Sequence, residues 1–230
     1  MRYSVRRFCI ADGATEAFDS RWWARLLTKH WVFANRLMVT KAQLAPWLEA
    51  LGQRFRSRWD KQNLPWYAEE KAKSGAFAAF LGLAFVTSTD GLCWQAIALG
   101  DSCLVHLRNQ KVESSFPISD PDQFGYRPLL LPSNTNTQGA AIDHVVVQDG
   151  LVKNGDVFLL LTDAIAAWYL RSLSSAPDLT DAFQCYLAVN DVQNLQRLVT
   201  DCRDSGSLRN DDVAAIRIVI GHSATICAEP

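Results

Sequence analysis

Residues 75–102 read GAFAAFLGLAFVTSTDGLCWQAIALGDS, and the fold follows from how this stretch is divided. Ala76 to Thr87 is a nearly unbroken apolar run, which is the texture of a buried strand. Asp90-Gly91 sits between two such runs. That pairing favours a tight hairpin, because the central residues of the turn must accept positive φ. Trp94 to Leu99 then reads as the returning strand. Gly100-Asp101-Ser102 is a second turn, and Cys103 to Leu107 a third strand.

Working toward the N-terminus, Asn63 to Lys73 is polar, contains Pro65, and reads as a connection or a short helical turn. Before it, Leu44, Trp47, Leu48, Leu51, Phe55 and Trp59 recur at three- and four-residue steps. This predicts a long amphipathic helix capped by Thr40, with Pro46 tolerated in its first turns. A preceding helix carries Trp22, Trp23, Leu26, Leu27 and Trp31, with Asp19 or Ser20 as its cap. Tyr3 to Ala11 is a short strand ending in Asp12-Gly13.

Working toward the C-terminus, Ser114 to Ala140 is rich in Pro, Ser, Asn, Asp and Gly and reads as a long loop. His144 to Val147 and Val157 to Leu161 are expected strands, with turns at Asp149-Gly150 and Asn154-Gly155-Asp156. Helices are expected over Ala164 to Leu173, Thr180 to Leu187 and Val192 to Cys202. A last strand runs from Val213 to Ile220, and residues 222–230 form a loose tail. Strands cluster with strands and helices with helices. That grouping predicts an α+β fold in which helices cover two sheets, with residues 1–221 as one domain.

Composition narrows the class. The chain has 230 residues, about half of them hydrophobic, so a sizeable core can be built. A net charge of −1 lacks the electrostatic footprint of a nucleic-acid binder. Arg54, Arg56, Arg58 and Lys61 alternate with Phe55 and Trp59 and read as the solvated face of a helix. The longest apolar stretch, Gly75 to Val86, is too short to span a bilayer. None of the six cysteines is in CxxC spacing, so the expectation is free thiols in a cytoplasmic protein without a zinc site. Oligomeric state is open.

Four acidic positions share one context, an apolar run followed by Asp. They are Asp12 after Ile10-Ala11, Asp101 after Ala98-Leu99-Gly100, Asp163 after Leu160-Leu161-Thr162, and Asp211-Asp212 just before Val213. Carboxylates at strand ends, if gathered, offer hard oxygen ligands for Mg²⁺ or Mn²⁺. Gathered without a cation they would repel one another. Glu16 has an equal account as a residue near a helix start. His30, His106, His144 and His222 share no spacing and read as ordinary core or surface histidines. Ser102 lacks a His/Asp arrangement and reads as a turn residue.

The ordered set Asp12-Gly13, Gly100-Asp101-Ser102, Thr162-Asp163 and Asp211-Asp212-Val213-Ala214 resembles the motifs of the metal-dependent type 2C Ser/Thr protein phosphatases, from about Phe8 to Gly221. The resemblance implies a four-layer α-β-β-α sandwich of two mainly antiparallel sheets flanked by helices. It implies hydrolysis of phosphoserine or phosphothreonine in a phosphorylated protein by a metal-activated water. Carried over by position, Asp12 would bridge two metals and the Gly13 carbonyl would bind one of them. Asp163 and Asp211 would hold the second, and Asp101 would recruit a third. Asp212 takes a supporting position.

The pattern also departs from the family. Members carry a phosphate-binding Arg and a metal-ligating Glu-Asp pair well before the Asp-Gly. Here eleven residues precede Asp12, so that strand is expected to be missing. Ala14-Thr15-Glu16 follows Gly13 in place of a glycine-rich turn, and Ala164 follows Asp163 in place of glycine. A lost phosphate clamp removes a bidentate, charge-assisted contact. Three readings therefore stand: an active phosphatase, a catalytically impaired relative that binds or regulates a phosphorylated partner, and an unrelated α+β fold whose Asp turns are incidental.

Overall fold

The computed structural model describes residues 6–34, 38, 40–60, 65–88, 91–125, 128–221 and 226–229. It divides into two compact units, residues 1–102 with 127–151 and residues 103–126 with 152–230. Each unit holds one five-stranded antiparallel sheet, and the helices lie between groups of strands in the chain, as expected of α+β.

In the first unit, β1 (Arg6–Gly13) and β3 (Gly91–Leu99) flank β2 (Phe77–Ser88). β2 is buried along most of its length, which accounts for its unbroken apolar run. β2 and β3 pair antiparallel with Ser88 opposite Gly91, as the expected hairpin requires; Gly91 itself is the first residue of β3, and Asp90 lies outside the described residues. Helix α1 (Ser20–Val32) buries Trp23, Leu26, Leu27 and Trp31. Asp19 occupies its cap position at φ 46° but makes no capping hydrogen bond, and its carboxylate lies 3.8 Å from Arg58 instead. Helix α2 (Lys41–Ser57) begins with a capping box between Thr40 and Gln43, and buries Leu44, Leu48, Leu51 and Phe55. These helices pack on the sheet through Phe80, Ala84 and Ile97. Trp31 stands edge-on to Phe80 with ring centroids 5.5 Å apart. Each such fully buried large apolar side chain contributes about 1.5–3 kcal/mol. Arg54, Arg56 and Arg58 are exposed as expected, and the Arg58 guanidinium also lies 4.5 Å from the Trp22 ring centre.

Helix α3 (Trp66–Ser74) fills the polar connection. The segment expected to be one long loop is more structured than that. Its start belongs to β5, described below, and its end to β6 (Leu131–Pro132) and α4 (Thr135–Asp143). The Asn134 side chain caps α4 by accepting the Asn136 amide at 3.1 Å. The buried Gln138 side chain donates to the Leu48 and Pro132 carbonyls at 3.0 and 3.2 Å. Asp149-Gly150 is likewise not a turn. Both residues lie inside β7 (Val146–Leu151), paired with Gln95 and Trp94 of β3.

The second unit orders its strands β10-β9-β8-β4-β5. They are β4 (Cys103–Arg108), β5 (Lys111–Phe116), β8 (Val157–Leu161), β9 (Ala215–Ile220) and β10 (Ile226–Glu229). β10 pairs with β9 over residues read from sequence as a loose tail. Helices α5 (Asp163–Ser175), α6 (Pro177–Ala188) and α7 (Val192–Asp204) follow β8. Ile165, Trp168 and Tyr169 of α5 share a core with Val105, Leu159, Leu161, Phe183 and Leu208. Within this unit His106 is a core residue. It stacks on Phe158, and its Nε2 lies 3.0 Å from the fully buried Asp156 carboxylate. Cys9, Cys93, Cys103, Cys185 and Cys202 are free thiols, and among the described residues no helix is long and apolar enough to cross a membrane.

Candidate metal and phosphate site

Asp12 is the penultimate residue of β1, paired with Ala79 of β2. Its neighbour Ala11 packs into the core beneath α1. Alternation along the strand therefore directs Asp12 to the opposite face. Gly13 ends β1, and a β-carbon there would come within 2.8 Å of the Ser20 backbone. The start of α1 thus closes down on Gly13 in a way only glycine allows.

On the other side of β2, Leu99 pairs with Phe80 and Gly100 lies against Ala79. Asp12 and the Gly100-Asp101 turn therefore flank the same residue at the same end of the first sheet. With strands ~4.8 Å apart, their backbones are roughly 10 Å from each other. Gly100 has φ +106°, and a β-carbon on it would sit 2.6 Å from the Ala79 β-carbon. Asp101 is buried, and the buried Ser102 hydroxyl has no hydrogen-bond partner among the described residues.

In the second unit, β8 ends at Leu161 and Asp163 is the first residue of α5. Its carboxylate thus stands at the positive end of a helix. Asp211 belongs to the segment that leads into β9. Thr162 fastens that segment to the β8–α5 junction: its hydroxyl accepts the Ala214 amide at 3.0 Å and donates to the Asp212 carbonyl at 3.2 Å. The two carboxylates are close enough for Asp211 to perturb Asp163. Burial pushes the Asp163 carboxyl above the ordinary range. The Ala164 amide and Arg209 pull it down, Asp211 pushes it up, and the net shift is upward.

The Arg209 guanidinium donates to Asp163 Oδ2. The other oxygen, Oδ1, is buried without a hydrogen-bond partner among the described residues. A buried, half-satisfied carboxylate beside a second carboxylate is donor chemistry that fits a hard divalent cation. Among the described residues, no three His, Cys, Asp or Glu side chains gather as a metal cluster. The first unit thus brings Asp12, Gly13 and Asp101 to one sheet end, and the second brings Asp163 and Asp211 together. Asp212 is exposed, with its amide donating to Asp211 Oδ1 at 2.8 Å. Sequence reading missed Thr162 as a fastener and Arg209 altogether. The only signal for Thr162 was its place beside Asp163; a single loop arginine carries no periodic signal.

The serine/threonine phosphatase PstP/Ppp of Mycobacterium tuberculosis superposes with a TM-score of 0.57 at 14% identity, covering 96% of this chain and 92% of that one. The catalytic domain of PstP in complex with two manganese ions gives a TM-score of 0.52 at 15% identity, covering 93% and 88%. A Toxoplasma gondii phosphatase gives 0.51 at 10% identity, covering 94% and 78%. The chain has the type 2C phosphatase fold. No protein-family model and no curated protein matches the chain by sequence. The likeness therefore lies in the type 2C architecture.

Proposed function

We propose that this chain is a metal-dependent phosphatase acting on phosphoserine or phosphothreonine in proteins. The observation that carries this reading is the Asp163–Asp211 pair, fastened by Thr162 in a type 2C phosphatase fold, with one buried carboxylate oxygen left without a hydrogen-bond partner among the described residues. Asp12, the Gly13 carbonyl, Asp101, Asp163 and Asp211 are the residues that would hold Mg²⁺ or Mn²⁺. Bound metal would supply positive charge for the phosphoryl oxygens and a water acidified for attack on phosphorus. The protein's own part is positioning. Thr162 sets the distance between two ligands, and the close approach at Gly13 and the turn at Gly100 present the others at the end of a sheet.

The substrate is a phosphorylated protein rather than nucleic acid or membrane, and the setting is cytoplasmic. Residues of the 63–73 connection and of the 114–140 segment contribute to a cavity in the first unit, where this reading puts substrate selection. It measures about 450 Å³ and is lined by Arg56, Trp59, Glu69, Lys73 and Asn134 among others. Hydrolysis of an aryl phosphate by the purified chain with Mn²⁺ tests the reading. Activity should disappear with a chelator and fall steeply in Asp12→Asn and Asp163→Asn; full activity in either variant would refute it.

The Arg209–Asp163 ion pair favours a second reading, a catalytically impaired relative that binds a phosphorylated partner. Calorimetric titration showing no Mn²⁺ uptake, together with no hydrolysis, would select it.

A further inference from the structure

We propose that Arg209 is a built-in counter-ion that competes with a divalent cation for Asp163. The inference rests on the metal-site reading above and concerns how that site is loaded. Asp163 is 9% exposed and lies beside Asp211, so its charge needs a compensating cation. Arg209 provides one from within the chain.

The arginine is delivered by a fixed piece of backbone. Leu208 is buried at 3% exposure, and its amide donates to the Cys202 carbonyl at 3.0 Å. The Ser205 and Ser207 hydroxyls donate to that same carbonyl, each at 3.0 Å. The connection from α7 to β9 is thus pinned one residue before Arg209. From the end of α7, Arg203 reaches the Asp211 carbonyl, so two arginines border the acidic pair.

The compensation is incomplete and reversible. Arg209 engages Oδ2 and leaves Oδ1 without a hydrogen-bond partner among the described residues. The Arg209 side chain is 36% exposed, so it can return to water at little desolvation cost. A guanidinium and a dication cannot share one carboxylate at close range without repulsion. Cation uptake at Asp163 therefore requires Arg209 to let go. Apparent affinity is reduced by the fraction of time Asp163 is free.

The test measures Mn²⁺ binding by the electron paramagnetic resonance of free Mn²⁺, and thermal stability in chelator, for the wild-type chain, Arg209→Ala, Arg209→Met and Asp163→Asn/Arg209→Ala. If Arg209 holds Asp163 nine-tenths of the time or more, its removal should tighten Mn²⁺ binding by about tenfold or more. The single variants should also melt lower in chelator, and Mn²⁺ should raise their melting temperature more than that of wild type. The double variant should lose the gain in affinity. Arg209→Met keeps the stem that packs and reports if Arg209→Ala folds poorly. Mn²⁺ binding by wild type and the arginine variants with equal affinity, or weaker binding by the variants, would overturn the competition while leaving the metal site standing. No Mn²⁺ binding by any of them would overturn both.

Discussion

Thr162 and Ala214 hold each other twice: the Ala214 amide donates to the Thr162 hydroxyl at 3.0 Å, and the Thr162 amide donates to the Ala214 carbonyl at 3.1 Å. This clasp joins the residue before Asp163 to the segment that carries Asp211. In Thr162→Val the shape is kept but the hydroxyl is lost, and the part-buried Ala214 amide loses its partner. Such a loss costs about 0.5–1.5 kcal/mol. Urea unfolding should register that drop, and Mn²⁺-dependent hydrolysis should fall by roughly tenfold or more because ligand placement is disturbed. Thr162→Ser keeps the hydroxyl and should retain most of both. Equal behaviour of the Val and Ser variants would remove Thr162 from the account.

Asp156 should govern part of the acid limb of stability. It is fully buried, takes two hydrogen bonds from Arg108 at 2.9 and 2.8 Å, and accepts the Lys153 amide at 2.8 Å. Burial alone would raise its pKa. Arg108, the Lys153 amide and His106 outweigh burial and hold it below the ordinary carboxylate range. A carboxyl depressed in the folded state contributes stability that is fully present above the unfolded-state value of ~3.9. That stability is lost as pH falls through the folded value. Asp156→Asn should lose about 3 kcal/mol at neutral pH and show a flatter decline below pH ~4. Tryptophan-fluorescence unfolding across pH measures both; an unchanged acid slope would contradict the assignment.

Gly100→Ala should be costly for two separable reasons. Its φ of +106° disfavours any side chain, and the new methyl would meet the Ala79 β-carbon at 2.6 Å. Forced contacts of this kind cost about 1–3 kcal/mol. Pairing the change with Ala79→Gly removes the clash with the Ala79 β-carbon but leaves a 2.8 Å approach to its α-carbon and the strained φ. A double-mutant cycle should therefore recover part of the loss, and full recovery would show that φ contributes nothing.

The elements that were legible are those whose own residues decide them. Val157 to Leu161 is read as a strand and is one, residue for residue, because an apolar run between turn signals has few alternatives. The places of Asp12, Asp101 and Asp163 at or just after strand ends were legible for the same reason, since each follows an apolar run. α4 was not. Residues 135–140 have loop composition, and what makes them helical is the Asn134 cap and the seating of Gln138 on α2, neither visible in a local pattern. Asp149-Gly150 has the local signature of a turn, yet pairing with Gln95 and Trp94 draws it into β7. The Asp19 cap failed because its carboxylate turns toward Arg58. Arg209 was illegible because its role depends on where α7 ends and on a carboxylate 46 positions away.

The central claim is that Asp163 and its companions hold a catalytic metal. Release of phosphate from a phosphothreonine peptide, measured against Mn²⁺ concentration for wild type and Asp163→Asn, tests it most directly. Wild type should show saturable, Mn²⁺-dependent release, and the variant should lose roughly a hundredfold or more. Metal-independent release, or release undiminished in Asp163→Asn, would contradict it.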